Sequence, residues 1–151
     1  MNNRHVWAAI AGIAAIVILA YSPSLHSQFV NWDDDAHLFA NPFILPFDFK
    51  SIFTTTVNKI YIPLTSLSFA MEYHFFKADP FVYHLDNLLL HLAVTVMAFL
   101  FCRRCGLSVA SAAVATLIFG LHPAHVESVA WITERKDVLY GFFICWRSCV
   151  I

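Results

Sequence analysis

The stretch FVNWDDDAHLFANP, residues 29–42, sets three carboxylates side by side, Asp33, Asp34 and Asp35. Like charges that close raise one another's cost of ionisation, so something has to offset the repulsion. A cation, a hydroxyl proton to be accepted, or water can each do so. Such a cluster suits general-base work on an acceptor hydroxyl or the holding of a divalent cation. A solvated acidic turn is the bland alternative. A second stretch, HPAHVESVAWITERKDVLYG at 122–141, gathers His122, His125 and Glu127 behind the helix-ending Pro123 and puts Arg135 next to Lys136. The order H-x-x-H-x-E lacks the HExxH spacing that stacks two imidazoles on one helical face, so it does not specify a metal centre. The cation pair suits a phosphate, which the planar fork of Arg135 can grip in two places. If 126–140 is one helix, Val126, Val129, Ile132 and Leu139 form its apolar face. Glu127, Glu134 and Arg135 then lie elsewhere as local ion pairs.

These groups need elements to hold them, and the composition says what kind. Of 151 residues 60% are hydrophobic and 13% charged, with a mean hydropathy of +0.68, which is the balance of a membrane protein. A net charge of -1 argues against a nucleic-acid partner. Four cysteines do not make a disulfide scaffold, and Cys102 with Cys105 reads as a helix end because no second pair at zinc spacing follows. Residues 6–25 carry no charge after Asn2, Asn3, Arg4 and His5, and match the ~20 residues that cross a bilayer. A signal peptide competes for this run, but no small-x-small cleavage site precedes Phe29. Further spans are expected at 85–102 and 107–121, joined by a tight RRCG turn, and a partial one at 138–151, interrupted by Arg147.

Arg4, Arg103 and Arg104 assign their ends to the cytoplasm, which leaves 26–84 and 122–137 as outer loops. Residues 63–76, apolar but short and carrying Glu72, read as an interfacial helix with Pro63 in its first turn. The expectation is an all-α, multi-pass transmembrane domain over 1–151, with both chemical clusters on its outer side.

Four segments in order, FVNWDDDAHLFANP, YIPLTSLSFAMEYHFF, DPFVYHLDNLLLHL and FGLHPAHVESVAWITERKDVL, resemble the N-terminal part of a family of GT-C-type membrane glycosyltransferases. That family combines many transmembrane helices with tetratricopeptide repeats and is similar to the protein O-mannosyltransferases. The resemblance runs from residue 29 to about 140. Its acidic pair falls on Asp33 and Asp34, with Asn41 and Pro42 closing the motif. Its H-P-x-H-x-E-x-V and R-x-D segments fall on His122, Pro123, His125, Glu127, Val129, Arg135 and Asp137. The resemblance implies transfer of a sugar from a polyprenyl-phosphate donor to a hydroxyl, on a protein Ser or Thr, at the outer or lumenal face. Asp33 or Asp34 would be the base and Arg135 the phosphate contact, with His122, His125 and Glu127 on the substrate side. No cofactor is specified, with room left for a divalent cation. The partners would be the lipid donor, the protein acceptor and the bilayer, in an inner (plasma) membrane or, alternatively, the endoplasmic reticulum. Such enzymes have many more spans and a repeat region that these residues lack, so the chain reads as a truncated fragment, inactive alone. A repeat-protein membrane scaffold and a transporter subunit remain as alternatives.

Overall fold

The run after Arg4 forms helix α1 (Asn3–Tyr21). Regular helix stops before Pro23, whose ring disfavours α geometry in the residue ahead of it, and the chain tightens into a 3-10 turn at Ser22–His26. The computed structural model describes residues 3–150, with side chains through residue 148. Asn2 and Ile151 lie outside the described residues, as does the side chain of Cys149. Between α1 and the next long helix come a π-type turn (Asp35–Phe39), α2 (Phe49–Thr54) and α3 (Pro63–Phe76). The helix expected over 63–76 is therefore present, with Pro63 in its first turn. Asp79 caps α4 (Pro80–Arg104) by accepting the Phe81 amide at 3.1 Å.

Gly106, at a φ of 88°, makes the left-handed turn that ends the α4 region. Ser108 then caps α5 (Val109–Gly120), accepting the Ser111 amide at 3.1 Å. Two last helices follow, α6 (His125–Ala130) and α7 (Arg135–Val150), separated by extended Trp131 and a 3-10 turn at Ile132–Glu134. The architecture is all-helical, and a lone bridge between Val57 and Ile60 is the sole β pairing among the described residues.

Two stretches, Asn3–His26 and Pro80–Arg104, are long and apolar enough to cross a bilayer, with mean hydropathies of 2.0 and 1.9. Only 17% of the first window and 39% of the second are buried, so most of their apolar surface faces outward, as lipid-facing helices do. Trp7, Leu19 and Leu100 are among the exposed side chains. At 12 residues α5 rises about 18 Å, which is shorter than the span expected over 107–121 and than the ~30 Å of hydrocarbon.

Two apolar cores result. One joins Ile13, Val17 and Tyr21 of α1 to Leu88 and Phe99 of α4, Ala112 of α5 and Val129 of α6. The other lies under the 26–84 segment, where Leu38, Ile44, Ile52, Phe69 and Ala70 close on Tyr83 and Ile132. Helix α7 runs alongside α4, from Arg135 at the level of Tyr83 and Asn87 to Gly141 against Val94.

Candidate functional site

The three aspartates occupy three different environments. Asp34 is fully buried: Oδ2 accepts the Val30 amide at 2.8 Å and Oδ1 accepts Trp131 Nε1 at 3.1 Å. This one carboxylate closes the 30–34 turn and ties it to a residue 97 positions away. Asp35 is exposed, and Asp33 is half-buried, with no hydrogen bond to its carboxylate among the described residues. Asn41 explains the close of the motif. Its Nδ2 donates to the His37 carbonyl at 3.1 Å and its Oδ1 accepts the Phe43 amide at 3.0 Å, which pins the π-type turn.

His37 sits inside that turn, 5% exposed, and burial holds its imidazole below the usual histidine range against the opposing pull of Asp33. Lys136 and Glu134 act on the same ring, so the two clusters, remote in sequence, share one electrostatic neighbourhood. Lys136 Nζ pairs with Glu134 Oε1 at 2.5 Å and stays 28% exposed. Trp32, beside Asp33, is 75% exposed and stacks on Trp131 at 5.7 Å with a 33° tilt.

Arg135 corrects an expectation. Its fork does not face the leaflet. The side chain has no exposed surface, and every guanidinium nitrogen is engaged: Nε donates to Asn87 Oδ1 at 2.7 Å, and Nη2 to the Tyr83 carbonyl at 2.9 Å. Nη1 donates to Ser68 Oγ at 2.9 Å and Glu72 Oε2 at 2.5 Å. The plane lies 4.6 Å from the Phe69 ring centroid, a cation–π arrangement that adds to the cage. The physical reason is the break at Trp131, whose ψ of 122° interrupts the helix expected over 126–140 and resets its phase. Val126, placed on the expected apolar face, is 51% exposed, whereas Val129 and Ile132 are buried.

His122 and Glu127 are exposed and His125 half-buried, and burial, reinforced by nearby His122, lowers the His125 pKa. No group of three or more His, Cys, Asp or Glu side chains able to hold a metal occurs among the described residues. The His125 ring instead packs edge-on against Phe119 at 4.7 Å and lies 5.4 Å from the His91 ring. His91 is buried, with Nε2 2.9 Å from the Gly120 carbonyl, in line with a structural role. These rings border a cavity of about 240 Å³ that Ser128 and Asp137 also line.

Sequence reasoning missed His37, Glu72, Asn87 and Trp131 as parts of this region. For Asn87 a signal existed, since a buried amide in an otherwise apolar span needs a partner on another helix. For Trp131 there was none.

Comparison with known proteins bears on the whole region. The chain is 35% identical over 141 residues to Protein O-mannosyl-transferase tmtc2 of Xenopus laevis, covering 86% of this chain and 17% of that protein. It is 33% identical over 144 residues to Protein O-mannosyl-transferase TMTC1 of Mus musculus, covering 87% and 15%. Against Protein O-mannosyl-transferase TMTC3 of Homo sapiens the identity is 30% over 142 residues, again 87% and 15%. The chain thus spans about one-sixth of the length of the curated relatives it matches. No family model matches it, and no solved structure does.

Proposed function

This chain is related by sequence to the protein O-mannosyl-transferases, and from that premise we propose that it carries the acceptor-activating part of a membrane glycosyltransferase that acts on proteins. In this reading the donor is a polyprenyl-phosphate sugar, the acceptor a protein Ser or Thr hydroxyl, and the site lies at the outer or lumenal face. The GT-C architecture and the tetratricopeptide repeats belong to the same reading. The observation that carries it is the 3.1 Å bond from Trp131 to Asp34, which joins the acidic turn to the segment bearing Lys136.

Within this geometry the acidic pair divides its labour. Asp34, buried and doubly bonded, positions the turn. Asp33 is the base: it takes the proton of the acceptor hydroxyl as that oxygen forms its bond to the anomeric carbon. The bond from that carbon to the phosphate oxygen breaks, and its electron pair leaves with the lipid phosphate. Lys136, not Arg135, is the cation placed to neutralise that phosphate, since it is partly exposed and near the acids. Glu134 keeps it in place before the donor arrives.

The test is sugar transfer to a peptide by a full-length relative altered at the matching positions. Changing the Asp33 carboxylate to Asn should cost roughly 10²–10⁴-fold in rate, the range for a general base, with insertion unaffected. Changing Asp34 to Asn should perturb Trp131 fluorescence as well as rate. Full activity in the Asp33→Asn equivalent would remove the assignment.

A further inference from the structure

Trp32 is held in place in a way that neither the fold nor the base assignment requires. Its amide donates to the Val30 carbonyl at 2.8 Å, inside the turn that Asp34 closes onto the Val30 amide at 2.8 Å. Its ring is backed by Trp131, itself fixed through Nε1 to Asp34 at 3.1 Å. Yet 75% of Trp32 is exposed. A flexible surface indole needs no such support, and a core indole would be covered. The arrangement presents an apolar indole face, backed by Trp131, in the same short turn as half-buried Asp33 and exposed Asp35.

A hexose ring is the complementary shape. Its C–H face is apolar and flat enough to lie on an indole, while its hydroxyls project from the edge and donate hydrogen bonds to carboxylates. A rigid aromatic also loses little conformational freedom when it takes up such a ligand. We propose that Trp32 is the platform on which the donor's hexose stacks, with Asp33 at the hydroxyl edge of the ring. The inference rests on the transferase reading for the identity of the ligand, but its test requires no turnover. Stacking on Trp32 also orients the ring. It fixes which face of the anomeric carbon is turned toward Asp33, so the platform sets the approach of the acceptor as well as affinity.

The experiment uses the 151-residue chain in lipid nanodiscs, labelled with 5-fluorotryptophan and titrated with methyl α-D-mannopyranoside while fluorine NMR is recorded. The chain has four tryptophans, and Trp32→Phe identifies the resonance of Trp32 by its loss. The expected result is a saturable shift of the Trp32 and Trp131 signals with Trp7 and Trp146 still, and no such shift with sorbitol. Trp32→Ala should weaken binding, read on Trp131, by about tenfold, and Trp32→Phe by less. Replacing Trp32 alters the ring environment of Trp131 by itself, so an unchanged hydrogen-exchange rate of the Val30 amide, which Asp34 accepts at 2.8 Å, establishes that the turn is intact in the unliganded variants. Equal glycoside affinity in wild type and Trp32→Ala would overturn the platform while leaving transfer by Asp33 standing. So would a wild-type chain whose Trp32 signal ignores the glycoside and is broadened by spin-labelled lipid, which would make the ring a membrane anchor.

Discussion

Arg135 and Lys136 carry the same formal charge and meet opposite fates. Four acceptors surround the guanidinium, from Asn87, Ser68, Glu72 and Tyr83, and a compact ammonium cannot reach them all. Above about pH 7, where Glu72 is ionised, Arg135→Met should therefore destabilise the chain by about 3–5 kcal/mol, the cost of leaving a buried partner charge uncompensated. Arg135→Lys should be destabilised as well, and denaturant titration in detergent would show it; wild-type stability for Arg135→Lys would count against the cage. Glu72 gives the cage a pH dependence. Burial pushes its carboxyl up to about 7, opposed by the Arg135 guanidinium and reinforced by the nearby Asp86 carboxylate. Between about 4.5 and 7 the folded protein keeps a proton that the unfolded chain has released, so stability falls as pH rises through that window. The drop is at most about 3 kcal/mol, and Glu72→Gln should flatten it in unfolding curves taken at several pH values. The sequence could not tell the two cations apart. Which one turns inward depends on the helical phase after Trp131, and that phase is set by a break with no Pro or Gly to announce it.

Helices were easier to read than their contacts. The α3 segment and the turn around Gly106 follow from local signals, Pro63 at a first turn and a glycine after the basic pair. The split between α6 and α7 and the shortness of α5 do not, because tertiary packing on α4 decides both. Gly120 shows this packing: a Cβ built on it would meet Thr95 Cγ2 at 2.9 Å and Val17 Cγ2 at 3.3 Å. Gly120→Ala should force α1, α4 and α5 apart at a cost of about 1–3 kcal/mol. Thr95→Ser removes the clashing methyl but keeps the hydroxyl that donates to the His91 carbonyl at 2.8 Å, so it should restore part of the loss in the double variant. Additive destabilisation in the two-mutant cycle would mean that the contact is not what limits the approach.

At the scale of the molecule, the C-terminal end of α1 and the end of α5 meet α4 at His91 in its middle, and the half of α4 from Pro80 to His91 leads away from Arg103 and Arg104 at its other end. The acidic turn and the 131–136 segment sit toward the Pro80 end. The orientation expected from the basic residues would put this end outside, and labelling tests it. An impermeant maleimide applied to intact cells should label a cysteine at exposed Thr56 and spare exposed Cys105, each as the single cysteine present. Labelling of Cys105 from outside would reverse the topology. Both clusters were visible in the string, since their residue types are unusual beside apolar spans. Their meeting was not, because 97 residues separate the two ends of the bond from Trp131 to Asp34 and no periodicity spans that interval.

The buried guanidinium also imposes an order on biosynthesis. Ser68, Glu72, Tyr83 and Asn87 are all translated before Arg135 and line a cage that is then empty of its cation. While the nascent chain is shorter than this, the Glu72 carboxyl and the Asn87 side-chain oxygen lack their cationic partner, and α3 is held to α4 by the apolar contacts of Phe69 and Ala70 with Tyr83. The arrival of residue 135 supplies three nitrogens at once and carries Trp131, four residues earlier, to Asp34. The cage therefore cannot close before residue 135 has been made.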